Sequence, residues 1–198
     1  MLKIKGSAAD NPAGSNAGEF ISVYVNKFSE DSAKKFYEDF NRAVDTGQAV
    51  VPIIIDSYGG SVDAGMFMYD VITSADVSVA TVAVGKAMSC GSFLLSCGDE
   101  GMRFASPNSR IMVHNISAGS WGKESDLEVN LKEIKRLKKL FFETMSVNCG
   151  HGKNYFAELL SQNSDKDMYF SPKEALKHGI INEIRLPQVQ KSVYFELV

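Results

Sequence analysis

The sequence of this protein has few cysteines, few histidines and no long apolar run. Its three cysteines, Cys90, Cys97 and Cys149, are an odd number, which argues against a disulfide framework and favours a reducing compartment. No stretch approaches the roughly 18 consecutive apolar residues of a transmembrane helix. Residues 1–18 also lack the apolar core of a signal peptide. We therefore expect a cytoplasmic protein with no membrane partner.

An excess of charge of one sign is also missing. The 21 basic and 24 acidic residues give a net charge of −3, so the sequence has no electrostatic footprint for nucleic acid. The 198 residues, 44% hydrophobic and 23% charged, suit one soluble globular domain. Residues 1–18 are rich in Gly, Ala, Ser, Asn and Pro, and we expect them to form a flexible arm.

Strand patterns alternate with helical patterns through the first half of the chain. Apolar or β-branched runs at 20–25, 50–56 and 77–85 predict strands, and helices are expected at 29–47 and 61–75 between them. This alternation predicts an α/β protein with parallel strand pairing.

A long helix is expected in the second half. Apolar residues spaced by three and four predict a helix over 123–147, with Ser125 and Glu128 at capping-box spacing. Residues 163–169 contain turn formers and are expected to form a turn.

Ser89 follows the predicted strand 77–85 in the segment "AMSCG". Small residues two before and two after it, Ala87 and Gly91, nearly meet the G-x-S-x-G pattern of a strand-to-helix turn that exposes a nucleophilic hydroxyl. The motif is weak by itself, because alanine replaces the first glycine and a packed serine would also fit.

A serine nucleophile needs a base, and the chain offers only three histidines. His114 ends the strand pattern "RIMVH", and α/β sheets place functional groups just beyond the carboxyl ends of their strands. His151 lies in a loop and His178 follows a helical run, where capping the helix is the simpler role.

Two further features fit a serine hydrolase. Gly59 and Gly60 in "DSYGGS" separate a strand from a helix start, where backbone N–H groups can approach an oxyanion, although a simple tight turn would look the same. Asp165 and Asp167 in "SDKDMYF" are candidates for an acid that orients the base. The residues alone do not choose between them, and a solvated turn is the alternative.

Taken together, three segments resemble the ClpP family of self-compartmentalising serine proteases. They are "DSYGGSVDAGMFMYDVI", "GKAMSCGSFLLSCGDEGMRFASPNSRIMVHN" and "DKDMYFSPKEALKHGIINEI". The resemblance implies the ClpP/crotonase-like α/β fold of repeated β-β-α units with a protruding "handle" helix. It implies a protease domain at 19–187 and a C-terminal tail at 188–198.

The resemblance also implies roles for individual residues. Ser89 matches the nucleophile, His114 the general base and Asp167 the triad acid. The backbone N–H groups of Gly60 and Cys90 match the oxyanion donors.

The remaining matches concern assembly. Asp165 and Lys166 match a pair that contacts the opposite ring in the family, and helix 123–147, after the Gly-rich loop 117–122, matches the handle. The implied assembly is a homo-oligomer of heptameric rings, stacked as a tetradecamer, that cleaves peptides and unfolded proteins without a cofactor or metal. By this resemblance, the basic run "KEIKRLKKL" is interpreted as the polar side of an interface helix.

The chain departs from the family pattern in places. Tyr58 replaces a usual proline, and Asn115-Ile116 replaces a usual Gln-Pro after the base, which affects the expected shape of the substrate subsites. The family works with AAA+ unfoldases of the ClpX or ClpA type, but residues 1–18 do not match its usual N-terminal segment.

Several alternatives stay open. A relative of the SppA type would use a Ser–Lys pair, and Lys86 lies three residues before Ser89. A viral prohead-maturation protease shares the fold. A crotonase-type acyl-CoA enzyme shares the glycine turn but does not need a Ser–His pair, and an inactive ring subunit would lack triad members.

Overall fold

The computed structural model describes residues 2–4, 19–117 and 123–191. Most of the predicted arm, nearly all of the Gly-rich loop 117–122 and the end of the C-terminal tail lie outside these ranges. The helices are α1 (Glu30–Asp45), α2 (Val62–Ser74), α3 (Cys90–Ser96), α4 (Glu124–Asn148), α5 (Tyr155–Gln162) and α6 (Pro172–Lys177). The strands are β1 (Leu2–Ile4), β2 (Val23–Val25), β3 (Val50–Ser57), β4 (Ser78–Met88), β5 (Arg103–Ala105), β6 (Arg110–Val113), β7 (Met168–Phe170), β8 (Glu183–Ile184) and β9 (Val189–Lys191).

The main sheet has the strand order β2-β3-β4-β5-β8, and its neighbours are parallel. Strand β3 lies between β2 and β4, which explains its nearly continuous apolar run, because helices cover both faces of a parallel sheet. The predicted α/β class with parallel pairing is therefore confirmed.

Strand β4 changes its neighbour along its length. Its first part pairs with β5 through Thr81–Ala83, and its last part pairs with β6 through Lys86–Met88. Strand β6 in turn pairs antiparallel with β7. The carboxyl ends of β4 and β6 therefore lie side by side, next to the beginning of β7.

Local sequence explains most helix starts. Ser29 and Ser32 form a reciprocal capping box at the start of α1, and the hydroxyl of Ser61 accepts the N–H of Ala64 at the start of α2. Both helices lie within the ranges expected from the sequence.

The structure departs from the sequence predictions in three places. Helix α4 begins after Lys123, which makes no side-chain cap bond, so Ser125 lies inside the first turn and does not cap it with Glu128. Residues 168 and 169, expected in a turn, belong to β7, because β6 supplies a pairing edge that no local pattern reveals. Within the segment expected to form a flexible arm, residues 2–4 form β1, which pairs parallel with β9.

Aromatic packing attaches α3 and α4 to the core. The rings of Phe93 and Phe141 stack with centroids 4.4 Å apart, and Phe142 meets Phe141 edge to face. All seven residues of α3 are buried. Ser89 is therefore followed directly by a helix that is buried in the core.

Candidate active site

Ser89 lies at the junction between β4 and α3, in an uncommon backbone conformation. Its φ of 57° and ψ of −122° fall outside the regions that residues with a Cβ prefer. Its N–H donates to the carbonyl of Met112 at 2.9 Å, and its own carbonyl accepts the N–H groups of Ser92 and Phe93. The backbone of Ser89 is thus held from both sides, by β6 and by α3, and the strained turn is maintained by its surroundings.

The hydroxyl of Ser89 and the imidazole of His114 are in contact. Ser89 Oγ lies 2.8 Å from His114 Nε2, within hydrogen-bond distance. With the imidazole proton on Nδ1, Nε2 accepts the proton of the hydroxyl. The contact follows from topology, because His114 directly follows β6, whose last residues pair with the end of β4.

Asp167 lies beside the other nitrogen of His114. The antiparallel register pairs Val113 with Met168, which places the next residues along, His114 and Asp167, opposite each other. His114 Nδ1 and Asp167 Oδ1 are 3.7 Å apart, beyond hydrogen-bond distance, and the Asp167 side chain is 52% exposed. The structure therefore brings all three residues of the expected triad together, with the Asp167 contact longer than a hydrogen bond.

Two backbone N–H groups near Ser89 are available to a ligand. Gly60 has a φ of 147°, and a Cβ there would collide with the carbonyl oxygen of Phe28. Cys90 is the first residue of α3. Within the described part of the chain, neither the Gly60 nor the Cys90 N–H donates a hydrogen bond to another residue.

The Cys90 side chain makes a contact that sequence reasoning missed. Its thiol reaches the carbonyl oxygens of Gly60 and Ser61 at 3.4 and 3.5 Å. Burial raises the pKa of this thiol to about 11, so it stays protonated and can donate. Cys90 thus connects the start of α3 to the glycine turn. The sequence did not indicate this contact, because its partners lie about 30 positions away in the chain.

Asp165 and Lys166 lie just before β7. The Asp165 carboxylate accepts the side-chain N–H of Asn115 at 2.7 Å. The backbone of Asp165 has a φ of 56°, in the left-handed region. Lys166 forms no ion pair with any described residue. The buried Oδ1 of Asn115 also lacks a hydrogen bond within the described ranges.

A Ser–Lys pair would require Lys86 to contact Ser89, but within the described residues its ammonium contacts Asp56 and Tyr58. Its ammonium lies 2.6 Å from Asp56 Oδ1 and 4.5 Å from the centroid of the Tyr58 ring. The hydrogen bond to Asp56 raises the pKa of Lys86, which keeps the amine protonated and unfit as a general base.

The other two histidines form a separate cluster. His178 follows α6 as its C-cap residue, and its Nδ1 lies 2.7 Å from the Tyr155 hydroxyl. His151 Nε2 lies 3.1 Å from the His178 carbonyl. Partial burial lowers the pKa of His178. The C-cap position of His178 agrees with the capping role expected for it.

The described ranges contain neither a candidate metal site nor a candidate membrane span. No group of three or more His, Cys, Asp or Glu side chains there could hold a metal ion. None of the described helices combines the length and hydropathy needed to cross a membrane.

The fold and the site together define a class. α/β serine hydrolases have a strained serine between a parallel strand and a helix, hydrogen-bonded to a histidine at the end of another strand. Ser89 and His114 have this arrangement. The family model for Clp protease matches residues 19–188. The chain belongs to the Clp protease family, whose members are in general serine peptidases.

Proposed function

We propose that residues 19–187 form a serine endopeptidase that hydrolyses peptide bonds of peptides and unfolded proteins. The observation that carries this proposal is the 2.8 Å contact between Ser89 Oγ and His114 Nε2, made at a serine with φ of 57°. Membership of the Clp protease family supports the same reaction class.

In this proposal, Ser89 attacks the carbonyl carbon of the substrate while His114 takes the hydroxyl proton. His114 then gives that proton to the leaving amine. In the second step, His114 takes a proton from the attacking water and returns it to Ser89 Oγ as the acyl group is released. Asp167 favours the neutral imidazole tautomer with its proton on Nδ1 and stabilises the imidazolium that forms. Both roles require the Asp167 carboxylate to approach Nδ1 by roughly 0.8 Å to reach a normal hydrogen-bond length.

The oxyanion of the tetrahedral intermediate would be bound by Gly60 and Cys90. Their N–H groups are unpaired within the described chain. Cys90 directly follows Ser89, and Gly60 directly follows Gly59, which packs against Ser89. Losing one such donor typically lowers kcat by about 10²–10³.

The substrate would bind as an extended strand between the segments after Gly60 and after His114. Main-chain hydrogen bonds would supply most of the affinity, which favours broad sequence preference. Tyr58 and Asn115 border these segments and would shape the subsites.

The assembly we propose is a pair of heptameric rings of this chain, joined through α4 and the Asp165–Lys166 segment. An AAA+ unfoldase of the ClpX or ClpA type would deliver unfolded proteins. All three cysteines are free thiols, which fits a cytoplasmic location.

The alternatives are weaker on specific observations. Lys86 contacts Asp56, which disfavours the Ser–Lys mechanism. The contact between Ser89 and His114 disfavours both a crotonase-type enzyme and an inactive subunit. A prohead-maturation protease would share the site and differ in its substrates.

Hydrolysis of a short fluorogenic peptide by the purified protein, without an ATPase, tests the proposal. We expect cleavage in the wild type, and a loss of at least about 10³-fold in Ser89→Ala and in His114→Ala. A fluorophosphonate probe should label the wild type once per chain and leave Ser89→Ala unlabelled.

Ser74→Ala is the matched control, since Ser74 is an exposed serine at the end of α2. It should behave like the wild type. Cleavage that persists in Ser89→Ala would show that another residue is the nucleophile.

A further inference from the structure

An ion pair joins β3 and β4 close to the candidate site. Lys86 Nζ and Asp56 Oδ1 are 2.6 Å apart, and the two residues lie 30 positions apart in the chain. Asp56 precedes the glycine turn by three residues, and Lys86 precedes Ser89 by three residues. The pair therefore connects the two strand ends that carry the proposed oxyanion turn and the proposed nucleophile.

The strand register is irregular at the same place. Ile55 pairs with Ala83, but the next pair is Ser57 with Ala87, so β4 advances four residues while β3 advances two. The extra length includes Gly85, whose φ is 81°. A Cβ at Gly85 would lie 3.0 Å from Asp56 Oδ1, so the bulge packs directly against the ion pair.

Lys86 also contacts the segment that leads into the glycine turn. Its ammonium lies 4.5 Å from the centroid of the Tyr58 ring, and Tyr58 immediately precedes Gly59. The Tyr58 side chain is otherwise largely exposed, at 70%. The cation–π contact is therefore one restraint on this side chain.

We propose that Lys86, through Asp56 and Tyr58, is a positioning residue that holds the Gly60 N–H in register with Ser89. The inference rests on the proposed function. Because the oxyanion exists only in the transition state and the tetrahedral intermediate, a misplaced donor lowers kcat and leaves ground-state binding nearly unchanged.

The test compares Lys86→Met, which keeps the aliphatic stem and removes the charge, with the wild type. We expect kcat for the fluorogenic peptide to fall about tenfold, less than for full loss of a donor, with KM unchanged within about twofold. Lys86→Arg should restore most of kcat, because a guanidinium can pair with Asp56 and stack on Tyr58.

Lys35→Met is the matched control. Lys35 and Asp39 also form a 2.6 Å ion pair, but it lies on the exposed face of α1. This variant should keep wild-type kcat and KM, which separates a general effect of losing an ion pair from an effect on the site.

The outcomes separate the inference from the proposed function. If the wild type is labelled at Ser89 and Lys86→Met retains wild-type kcat, only the inference is overturned. If the wild type shows no Ser89-dependent labelling or cleavage, both are overturned. If Lys86→Met and Lys86→Arg both fall to the level of Ser89→Ala while His114→Ala stays active, Lys86 is the base, which also overturns both.

Discussion

At the scale of single residues, the site depends on two backbone conformations that face each other. Ser89 has a φ of 57°, a conformation that costs about 1–3 kcal/mol for a residue with a side chain. Gly59 lies against it, with a φ of 104° and space only for hydrogen at its Cα. The serine accepts the strain because β6 and α3 hold its backbone, and the glycine leaves room for the hydroxyl.

Gly59→Ala should therefore damage activity. The new Cβ would lie 2.7 Å from Ser89 Cβ, 2.9 Å from the Met88 carbonyl oxygen and 3.1 Å from Ser89 Oγ, so Ser89 and its hydroxyl must move. Because a displacement of about 1 Å can cost about 10²-fold in rate, we expect kcat for the fluorogenic peptide to fall by that order.

Gly101→Ala is the control for the backbone cost alone. Gly101 has a φ of 79° and is exposed, and a Cβ added there would meet no other atom within 4 Å. Gly101→Ala should lose about 1 kcal/mol of unfolding free energy in urea and keep its activity. Gly59→Ala should lose more stability, because its Cβ also collides with Ser89 Cβ and the Met88 carbonyl, and only this variant should lose activity. Equal activity in the two variants would contradict the packing of Gly59 against Ser89.

At the scale of elements, α4 has two different halves. Residues 124–133 are exposed, whereas Phe141, Phe142 and Met145 near the other end are buried. The buried end packs on α3 through Phe93, and α3 carries Ser89 at its start. The second half of α4 is thus part of the core, and the first half extends from it.

Phe142→Ala should destabilise the protein strongly, because Phe142 is almost fully buried. We expect a loss of about 3–5 kcal/mol in the free energy of unfolding, from the lost burial and the cavity left behind. Val147→Ala on the same helix should change it by less than about 0.5 kcal/mol, since Val147 is mostly exposed. Similar values for the two variants in urea unfolding would contradict this division of α4.

At the scale of the whole molecule, the exposed half of α4 carries apolar side chains that no described part of this chain covers. Leu127 and Leu131 are four residues apart on one face and are both exposed. The proposed pairing of rings would bury this face, which gives the exposed half of α4 a role that the single chain does not provide.

Leu131→Asp should therefore separate the proposed double ring, because pairing would bury a charge without a partner. We expect the native mass of the assembly to fall by about half. Val129→Asp serves as the control, since Val129 lies about 200° around the helix from Leu131 and should leave the mass unchanged. A full-size assembly in Leu131→Asp would show that this face is not the contact between rings.

Some of the site could be predicted from local sequence. The small residues around Ser89 and the strand pattern that ends at His114 indicated the two side chains that the fold brings within 2.8 Å. Strand and helix periods likewise predicted the α/β class, because those periods repeat within a few neighbouring residues. The capping of α4 was the exception, since Ser125 has the right residue type but lies inside the helix.

Other features were decided only by tertiary structure. Strand β7 and its register opposite His114 depend on pairing between segments more than 50 residues apart, and that pairing distinguishes the position of Asp167 from that of Asp165. The contact between Lys86 and Asp56 and the thiol contact of Cys90 also join distant segments. Local sequence determines which elements form and where reactive side chains lie along them. The packing of those elements sets the distances between side chains, because register and bulges are properties of two strands together.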